Sequence, residues 1–471
     1  VKHSHGPAPT NQPLFWSQET GPWTDVVECI ASIAAARARA NPRPPVHRPC
    51  AGDDGTSARG AGFHMDGLKP ITPSTTAASF ATSTASSAAP SEATTPAGLS
   101  PAPSGADTPD YVNPLESSSR WYLTAKASAV RYAASVGFSI SNRSDPPAPT
   151  FSREIWLDST LSEWKGRQKI KVEVWVPPRI SVGPRAAVIN FHGGGWILGQ
   201  GTDDARWAGA VMGALDAVVF TVNYRLAPSY PFPTPVEDCV DAIFQIVARA
   251  GEFGIDADRV ILAGFSAGAT IALSSWIVMQ EPHQWGYKLP AESPDIAGLV
   301  VFYPTLDITI SRPEKRQTCM KPELTLSPGL TDLIDASYVY PPVPREQRTD
   351  PRLSPGLMPD ELLKKMPPIH LCLCEYDMLL AEGIRFAKRL QHHDMPFSVR
   401  VVEGESHGWD KPPPMAPKES VNVEYGEATQ AMARWLRQDC ETDRESMSSM
   451  RTKRPRIRRP KYLSFRSRSA R

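Results

Sequence analysis

The pentapeptide Gly264-Phe265-Ser266-Ala267-Gly268 has the form GxSxG and carries the strongest chemical signal in the chain. It follows a short apolar run at residues 260–263, typical of a buried strand, and leads into a segment with helical spacing at residues 266–279. A serine on a sharp strand-to-helix turn exposes its hydroxyl, and the helix N-terminus favours developing negative charge. The pattern predicts that Ser266 is a nucleophile; an ordinary tight turn is the alternative.

A second glycine-rich segment, His192-Gly193-Gly194-Gly195-Trp196, follows another apolar run at residues 186–191. Consecutive glycines let backbone N–H groups turn towards one bound oxygen without steric cost. Acyl transfer needs such donors for its tetrahedral oxyanion. A phosphate loop would carry GxxxxGK, or GxGxxG opening a helix, and neither pattern occurs here. The segment therefore predicts an oxyanion-binding loop that His192 holds in place; a flexible turn is the alternative.

A nucleophilic serine needs a general base, and His407 is the best placed of ten histidines. It lies in a loop just beyond a predicted strand at residues 397–402, where catalytic groups of open α/β sheets are found. Three neighbouring histidines are interpreted as structural rather than catalytic. His370 lies inside a predicted core strand, and His392 and His393 lie at a helix end.

The base needs an orienting acid, and Asp377 follows the predicted core strand at residues 369–374. This choice gives the chain order Ser, Asp, His that is expected of α/β-hydrolases. Glu375 is the alternative acid, and an ordinary surface charge is the alternative for Asp377. Asp410 is too near His407 for the usual arrangement.

The elements that must position these residues lie between about residues 155 and 440. Residues 170–176 alternate apolar and charged types, as a strand with one covered face does. Unbroken apolar runs, typical of strands covered on both faces, occur at residues 186–191, 217–222, 260–263, 297–302 and 369–374. Helical spacing occurs at residues 203–215, 236–250, 266–279, 380–391 and 425–438. This alternation predicts an α/β fold, with a mostly parallel central sheet and helices on both faces.

Both ends of the chain have compositions unlike this region. Between residues 71 and 109, 32 of 39 residues are Ser, Thr, Ala or Pro, so residues 1–110 are expected to be disordered. Residues 444–471 hold 11 basic residues and one acidic residue, so the rest of the chain has 40 basic against 49 acidic residues. We expect residues 441–471 to form a basic disordered tail. A net negative body argues against a nucleic-acid-binding core.

The seven cysteines are odd in number and scattered, which favours a reducing, cytoplasmic location over a disulfide framework. Cys372 and Cys374 lie two apart in an apolar run and are expected to be core thiols rather than a metal or redox site. The sequence contains no run of about 18 apolar residues, the length that would predict a membrane helix. The basic tail leaves nuclear or anionic-surface association as an alternative.

Together these motifs resemble the hormone-sensitive lipase family of α/β-hydrolases, which includes arylacetamide deacetylases and many microbial and fungal esterases. The likeness covers about residues 151–440. The segments that carry it are HGGGW at 192–196, NYRLAP at 223–228 with Phe232-Pro233, GFSAG at 264–268, DPRLSP at 350–355, Tyr376-Asp377 and SHGW at 406–409. Several separated motifs in the family's order identify the family more specifically than any one of them does.

The resemblance implies an α/β-hydrolase fold with a helical cap, built from residues 111–150 and an insertion at residues 305–345. It implies a catalytic triad of Ser266, Asp377 and His407. It also implies an oxyanion hole whose N–H groups come from Gly194, Gly195 and Ala267, with Gly193 shaping the loop. Two positions depart from the family pattern: Phe265 stands where Asp is frequent, and Ser229 where an acidic residue is frequent.

Aromatic residues near the motifs are expected to line an apolar pocket, with core packing as the alternative: Trp196, Phe265, Tyr303 and Trp409. Phe265 is expected to shorten that pocket. The sequence thus predicts a serine carboxylic-ester hydrolase for small to medium apolar esters, with no cofactor or metal and a small-molecule ester as its partner. Amide or lactone hydrolysis by the same triad is one alternative, because residue types do not separate these reactions. A ligand-binding protein without catalysis is the other.

Overall fold

The computed structural model describes residues 111–141, 148–164, 168–411 and 418–452. Side chains are described to residue 139 in the first helix and to residue 437 in the last. The predicted disordered region, residues 1–110, lies outside the described residues. Its disorder stays a prediction.

The described residues contain one eight-stranded sheet, in the order β1-β2-β4-β3-β5-β6-β7-β8. Strand β2 runs antiparallel to both of its neighbours, and every other pairing is parallel. This confirms the predicted mostly parallel sheet. The strands are β1 (Arg153–Asp158), β2 (Lys169–Trp175), β3 (Arg185–Phe191), β4 (Val218–Asn223), β5 (Ile255–Phe265), β6 (Ile296–Phe302), β7 (Ile369–Tyr376) and β8 (Phe397–Ser406).

Strand β5 shows how the sheet divides the apolar core. Val260 and Leu262 pack into the cluster on one face, whereas Ile261, Ala263 and Phe265 pack into the cluster on the other. Successive side chains of a strand point to opposite faces. The unbroken apolar run is therefore the signature of a strand covered on both sides.

Helices cover both faces, as the sequence pattern predicts. In chain order they are α1 (Arg120–Ser141), α2 (Ala205–Leu215), α3 (Thr234–Ala248), α4 (Ala250–Phe253), α5 (Ala267–Gln280), α6 (Arg312–Gln317), α7 (Pro328–Tyr338), α8 (Asp360–Leu363), α9 (Leu380–His392) and α10 (Glu419–Thr452). Helices α3, α5 and α9 pack into the Val260 cluster, and α2 and α10 pack into the Phe265 cluster.

The two segments predicted to form a cap contact each other. The Tyr111 hydroxyl donates to Asp332 Oδ1 at 2.7 Å, and Asn113 Nδ2 donates to the Asp332 carbonyl at 2.9 Å. The guanidinium of Arg348 pairs with Glu116 at 2.5 Å. These polar contacts fix the segment before α1 against the region that contains α7. The division of the chain into cap and catalytic domains stays a prediction.

The last helix corrects one predicted boundary. Helix α10 continues to Thr452, so residues 441–452, which the sequence assigns to the disordered tail, are helical. These residues contain neither Gly nor Pro, and Pro455 is the first helix breaker beyond them. Residues 453–471 lie outside the described residues.

Length and apolarity together decide whether a helix can cross a bilayer. Across the described ranges, no helix has both.

Candidate active site

Ser266 lies on a strained turn between β5 and α5. Its backbone has φ 52° and ψ −117°, a region that residues with a Cβ rarely occupy. The flanking glycines are sterically required: a Cβ on Gly268 would lie 2.0 Å from the Phe191 carbonyl oxygen, and one on Gly264 would lie 2.4 Å from the Gly268 carbonyl carbon. The turn therefore needs the GxSxG pattern to let the backbones approach.

A chain of short hydrogen bonds joins the three residues predicted as a triad. Ser266 Oγ lies 2.8 Å from His407 Nε2, and His407 Nδ1 lies 2.6 Å from Asp377 Oδ2. The His407 and Asp377 side chains are 7% and 1% exposed, so little water competes for these bonds. With the proton on Nδ1, the imidazole donates to the carboxylate and Nε2 accepts from the serine hydroxyl. This arrangement can move a proton from Ser266 to His407.

The carboxylates weighed against Asp377 have other partners. Glu375 Oε2 accepts the Gly404 N–H at 2.6 Å, across the β7–β8 connection. Asp410 accepts the hydroxyls of Tyr303 and Tyr425 at 2.5 and 2.7 Å. Neither carboxylate is bonded to His407 in the described structure, so the geometry favours Asp377 as the orienting acid.

The glycine-rich loop after β3 packs directly against the Ser266 turn. A Cβ on Gly193 would lie 3.6 Å from Ser266 Cβ, and Gly194 and Gly195 have φ values of 116° and 58°. Among the described turn, loop and cap hydrogen bonds, none is donated by the N–H of Gly194, Gly195 or Ala267. These three N–H groups therefore have no partner among those bonds. Their role as an oxyanion hole stays a prediction, as does the shaping role of Gly193.

His192 supports this loop from within the core. Its ring stacks on Tyr224 with 4.2 Å between centroids, and its Nδ1 lies 2.8 Å from the Gly193 carbonyl oxygen. Burial lowers the pKa of His192 to about 4, because the charged imidazolium is poorly solvated there. A neutral ring that donates to Gly193 agrees with the predicted holding role.

The aromatic candidates separate into two environments. Phe265 is fully buried and stacks on Phe302, with 4.5 Å between centroids, and it meets the edge of Trp207. Phe265 therefore packs in the core, as the alternative interpretation has it, and its use as a pocket wall stays a prediction. As the last residue of β5, it follows the strand alternation into the α2 and α10 face of the sheet.

The other three candidates pack beside the glycine-rich loop and the His407 loop. Trp196 stacks on Tyr338 of α7 at 4.0 Å between centroids. Tyr303 meets the rings of His407 and Trp409 edge-on, at 4.8 and 5.6 Å. Trp196, Tyr303 and Trp409 are each at most 2% exposed, so their side chains are packed in the protein. Their use as pocket walls stays a prediction.

One buried ionic cluster beneath the site was not anticipated from the sequence. The Lys411 ammonium pairs with Asp204 at 2.7 Å and with Asp410 at 2.9 Å, and it lies 3.4 Å from the centroid of the Phe265 ring. Burial opposes the ionisation of Lys411, but the two carboxylates outweigh burial and raise its pKa. The cluster thus joins the start of α2, the Ser266 turn and the His407 loop. Lys411 thus places a buried positive charge against the face of the Phe265 ring.

No group of three or more His, Cys, Asp or Glu side chains in the described ranges is arranged to hold a metal ion. Cys372 and Cys374 are buried free thiols, and burial raises the pKa of both thiols well above the usual value. These thiols therefore stay protonated and pack as core residues, as the sequence predicts.

Comparisons with known proteins identify the family of the chain. A sequence model for the α/β-hydrolase fold matches residues 188–411. A carboxylesterase of Mycobacterium tuberculosis is 30% identical over 245 residues, covering 51% of this chain and 72% of the relative. The chain belongs to the hormone-sensitive lipase family of α/β-hydrolases. The arylacetamide deacetylase of Bos taurus, 26% identical over 311 residues, covers 55% of this hydrolase and 76% of its own length.

A solved structure gives the same result. A bacterial heroin esterase matches with a TM-score of 0.55 and 26% sequence identity, over 66% of this hydrolase and 93% of that chain. The α/β-hydrolase fold is therefore confirmed. The relatives place this chain among carboxylesterase-type hydrolases.

Proposed function

We propose that this protein is a serine carboxylic-ester hydrolase in which Ser266 is the nucleophile, His407 the general base and Asp377 the orienting acid. The observation that carries the proposal is the bonded chain from Ser266 Oγ through both nitrogens of His407 to Asp377 Oδ2, at 2.8 and 2.6 Å. Nucleophile, base and acid at these distances are what acyl transfer needs.

The reaction proceeds in two halves. Ser266 Oγ attacks the acyl carbon while His407 Nε2 takes the hydroxyl proton, and the tetrahedral oxyanion receives N–H bonds from Gly194, Gly195 and Ala267. The intermediate collapses when His407 gives that proton to the leaving alkoxide, which departs as the alcohol. Water then attacks the acyl-serine with His407 again as base, and the second collapse returns a proton to Ser266 and releases the acid.

The preferred substrates are small to medium apolar esters. This part of the proposal is supported by apolar contacts over the glycine-rich loop. A Cβ on Gly195 would lie 2.4 Å from Ile334 Cδ1 of α7, and Trp196 stacks on Tyr338 of the same helix. An enclosed apolar site gains about 0.8 kcal/mol for each CH₂ that it buries, until its wall is reached. Since Phe265 lies in the core, α7 rather than Phe265 sets that wall.

The experiment compares purified wild type with Ser266→Ala and His407→Ala on aryl esters from acetyl to palmitoyl. We expect each substitution to lower kcat by at least about 10³ with an unchanged thermal unfolding midpoint. Wild-type kcat/KM should rise and then fall with acyl length. Near-wild-type turnover by Ser266→Ala would overturn the mechanism, and a preference for palmitoyl esters with activation at an oil–water interface would overturn the enclosed site.

Amide hydrolysis by the same triad is the second candidate. It is favoured by the 26% identity to a protein named arylacetamide deacetylase. Paired aryl esters and aryl amides with the same acyl group separate the two activities. A kcat/KM for the amide equal to or above that of the matched ester would make the deacetylase activity the main one. A folded wild type without activity on either series would instead favour a ligand-binding protein.

For the location of the protein, we propose the cytoplasm. The proposal is supported by four buried cysteines in the described chain that form no disulfide, Cys239, Cys319, Cys372 and Cys374. Imaging of the full-length chain with a fluorescent tag tests it. A nuclear or membrane-surface signal that disappears when residues 453–471 are deleted would instead assign the location to the basic tail.

A further inference from the structure

The insertion between β6 and β7 contains a short segment, residues 319–326, that lies against the turn carrying Asp377. Helices α6 and α7 flank this segment and are joined by a buried ion pair between Arg312 and Asp335, at 2.7 Å. Lys315 of α6 forms a second buried pair with Glu382 of α9, at 2.6 Å. The two helices that flank the segment are therefore joined to each other, and α6 is joined to α9.

Three contacts join this segment to the acid turn, residues 376–379. Cys319 packs with Met378 and Leu379 in a small apolar cluster of its own. The Lys321 ammonium lies 4.0 Å from the centre of the Tyr376 ring. The third contact comes from Thr325. Residues on both sides of Asp377 are thus held by one stretch of chain, which we name the acid clasp (residues 319–326).

Thr325 makes the contact that reaches Asp377 itself. Its hydroxyl donates to Asp377 Oδ1 at 3.4 Å and accepts the Met378 N–H at 3.1 Å. Asp377 Oδ1 also accepts the Leu379 N–H at 3.1 Å. With Oδ1 held by these two donors, Oδ2 is left for His407 Nδ1. The hydroxyl therefore contacts both the Asp377 carboxylate and the backbone beside it.

We propose that Thr325 is a positioning residue for Asp377, and that the acid clasp sets the carboxylate orientation on which His407 depends. The inference rests on the proposed function, because orientation of Asp377 matters to turnover only if His407 acts as the base. It assigns to the insertion a role in the chemistry, separate from any contact with substrate.

A hydroxyl-free side chain of the same shape isolates this role. In Thr325→Val, Asp377 loses one of the two donors to Oδ1 and the Met378 N–H loses its acceptor, so the carboxylate gains rotational freedom. Small misplacement of a catalytic group has large kinetic costs. We expect kcat to fall about tenfold while KM stays within about twofold, since no substrate contact is removed. Thr325→Ser keeps the hydroxyl and should restore kcat to within about threefold of wild type.

A double-mutant cycle separates positioning from general stabilisation. If Thr325 acts through Asp377, Thr325→Val should have almost no effect on kcat in an Asp377→Asn background, because the carboxylate it orients is gone. A merely structural role would lower kcat by the same factor in both backgrounds, which would overturn the inference. Thr318→Val is the matched control: Thr318 is an exposed threonine of the same insertion whose hydroxyl donates to the Lys315 carbonyl, and loss of that hydroxyl should leave kcat within about twofold.

Thermal unfolding of every variant is measured alongside kcat and KM. If Thr325→Val does not fold, Thr325→Ala supplies a second hydroxyl-free variant for the same cycle. Wild-type kcat in a folded Thr325→Val or Thr325→Ala variant would overturn the inference. Failure of the proposed function is distinguishable, because it would appear as persistent activity in Ser266→Ala, whereas failure of the inference leaves Ser266→Ala inactive.

Discussion

The serine half of the candidate site and its acid–base half are built in different ways. The serine half lies at the ends of β3 and β5 in the middle of the sheet, and glycines in the two turns there set its geometry: Gly264 and Gly268 beside Ser266, and residues 193–195 after β3. The acid–base half lies at the ends of β7 and β8, near the sheet edge, and contacts from distant segments hold it. Thr325 lies 52 residues from the acid that it contacts.

The difference indicates how each half responds to substitution. A side chain added to the glycine turn costs stability, because a Cβ at Gly268 or Gly264 would overlap backbone atoms. The acid–base half depends on charges and hydroxyls, which can be removed without creating overlap. We therefore expect substitutions in the acid–base half to change kcat or the pH dependence of stability. Substitutions at the turn glycines should change the free energy of unfolding.

The largest expected effect follows removal of charge from the acid. Asp377→Asn should lower kcat by about 10⁴, because the amide cannot hold the productive tautomer of His407 or stabilise its charged form. The matched control is Glu375→Gln, two residues earlier, whose carboxylate accepts the Gly404 N–H instead. Steady-state kinetics on one aryl ester measures both. A large loss in Glu375→Gln with a small one in Asp377→Asn would reverse the assignment of the acid.

The next effect concerns Lys411, which joins the two halves. Lys411→Met should lower the free energy of unfolding by about 3–5 kcal/mol, because it leaves Asp204 and Asp410 buried without their cation. Lys418→Met is the control: its side chain is 40% exposed and pairs with Glu405, so the cost should be below about 1 kcal/mol. Urea denaturation measures both, and equal losses would contradict a bracing role for the buried cluster.

A smaller effect concerns pH, since each half contains a buried neutral histidine. Burial lowers the pKa of His370 on β7 to about 4, as it does for His192. In the unfolded chain His370 binds a proton near pH 6.5, whereas in the folded chain it does so only near pH 4. The free energy of unfolding therefore falls as the pH falls from 6.5 to 4. The cost is about 3 kcal/mol at the acid end. Between pH 6.5 and pH 4, the free energy of unfolding of His370→Gln should therefore fall by about 3 kcal/mol less than that of the wild type.

Urea denaturation of both proteins at several pH values between 7 and 4 tests this expectation. The difference between them isolates His370 from the buried carboxyl groups, several of which have raised pKa values and act in the opposite direction. Parallel stability curves for the two proteins would show that His370 does not keep a lowered pKa.

The smallest expected effect compares two glycines. Gly268→Ala should lower the free energy of unfolding by about 1–3 kcal/mol, because its Cβ would lie 2.0 Å from the Phe191 carbonyl oxygen. Gly213→Ala, in α2, has no atom within 4 Å of the added Cβ and should raise stability by up to about 1 kcal/mol. Thermal and urea unfolding measure both. A neutral Gly268→Ala would contradict the tight approach of α5 to β3.

Local sequence patterns predict most of the layered fold. Unbroken apolar runs locate the buried strands because both faces of the sheet are covered, and GxSxG locates the turn because only glycine fits beside it. The same patterns misplace the end of α10, where charged residues typical of a tail continue a helix to Thr452. Local composition does not distinguish a solvated helix from a solvated coil.

By itself, the sequence determined the type and order of the residues proposed to react: Ser266, Asp377 and His407 each follow a predicted strand, and strand ends converge in a parallel sheet. Only the tertiary structure decided which side chains surround them. It placed Phe265 in the core, and it brought Lys411 and Thr325 to the candidate site. These contacts join residues far apart in the chain, and their geometry depends on how helices and loops pack after the sheet has formed. No short-range pattern encodes that packing.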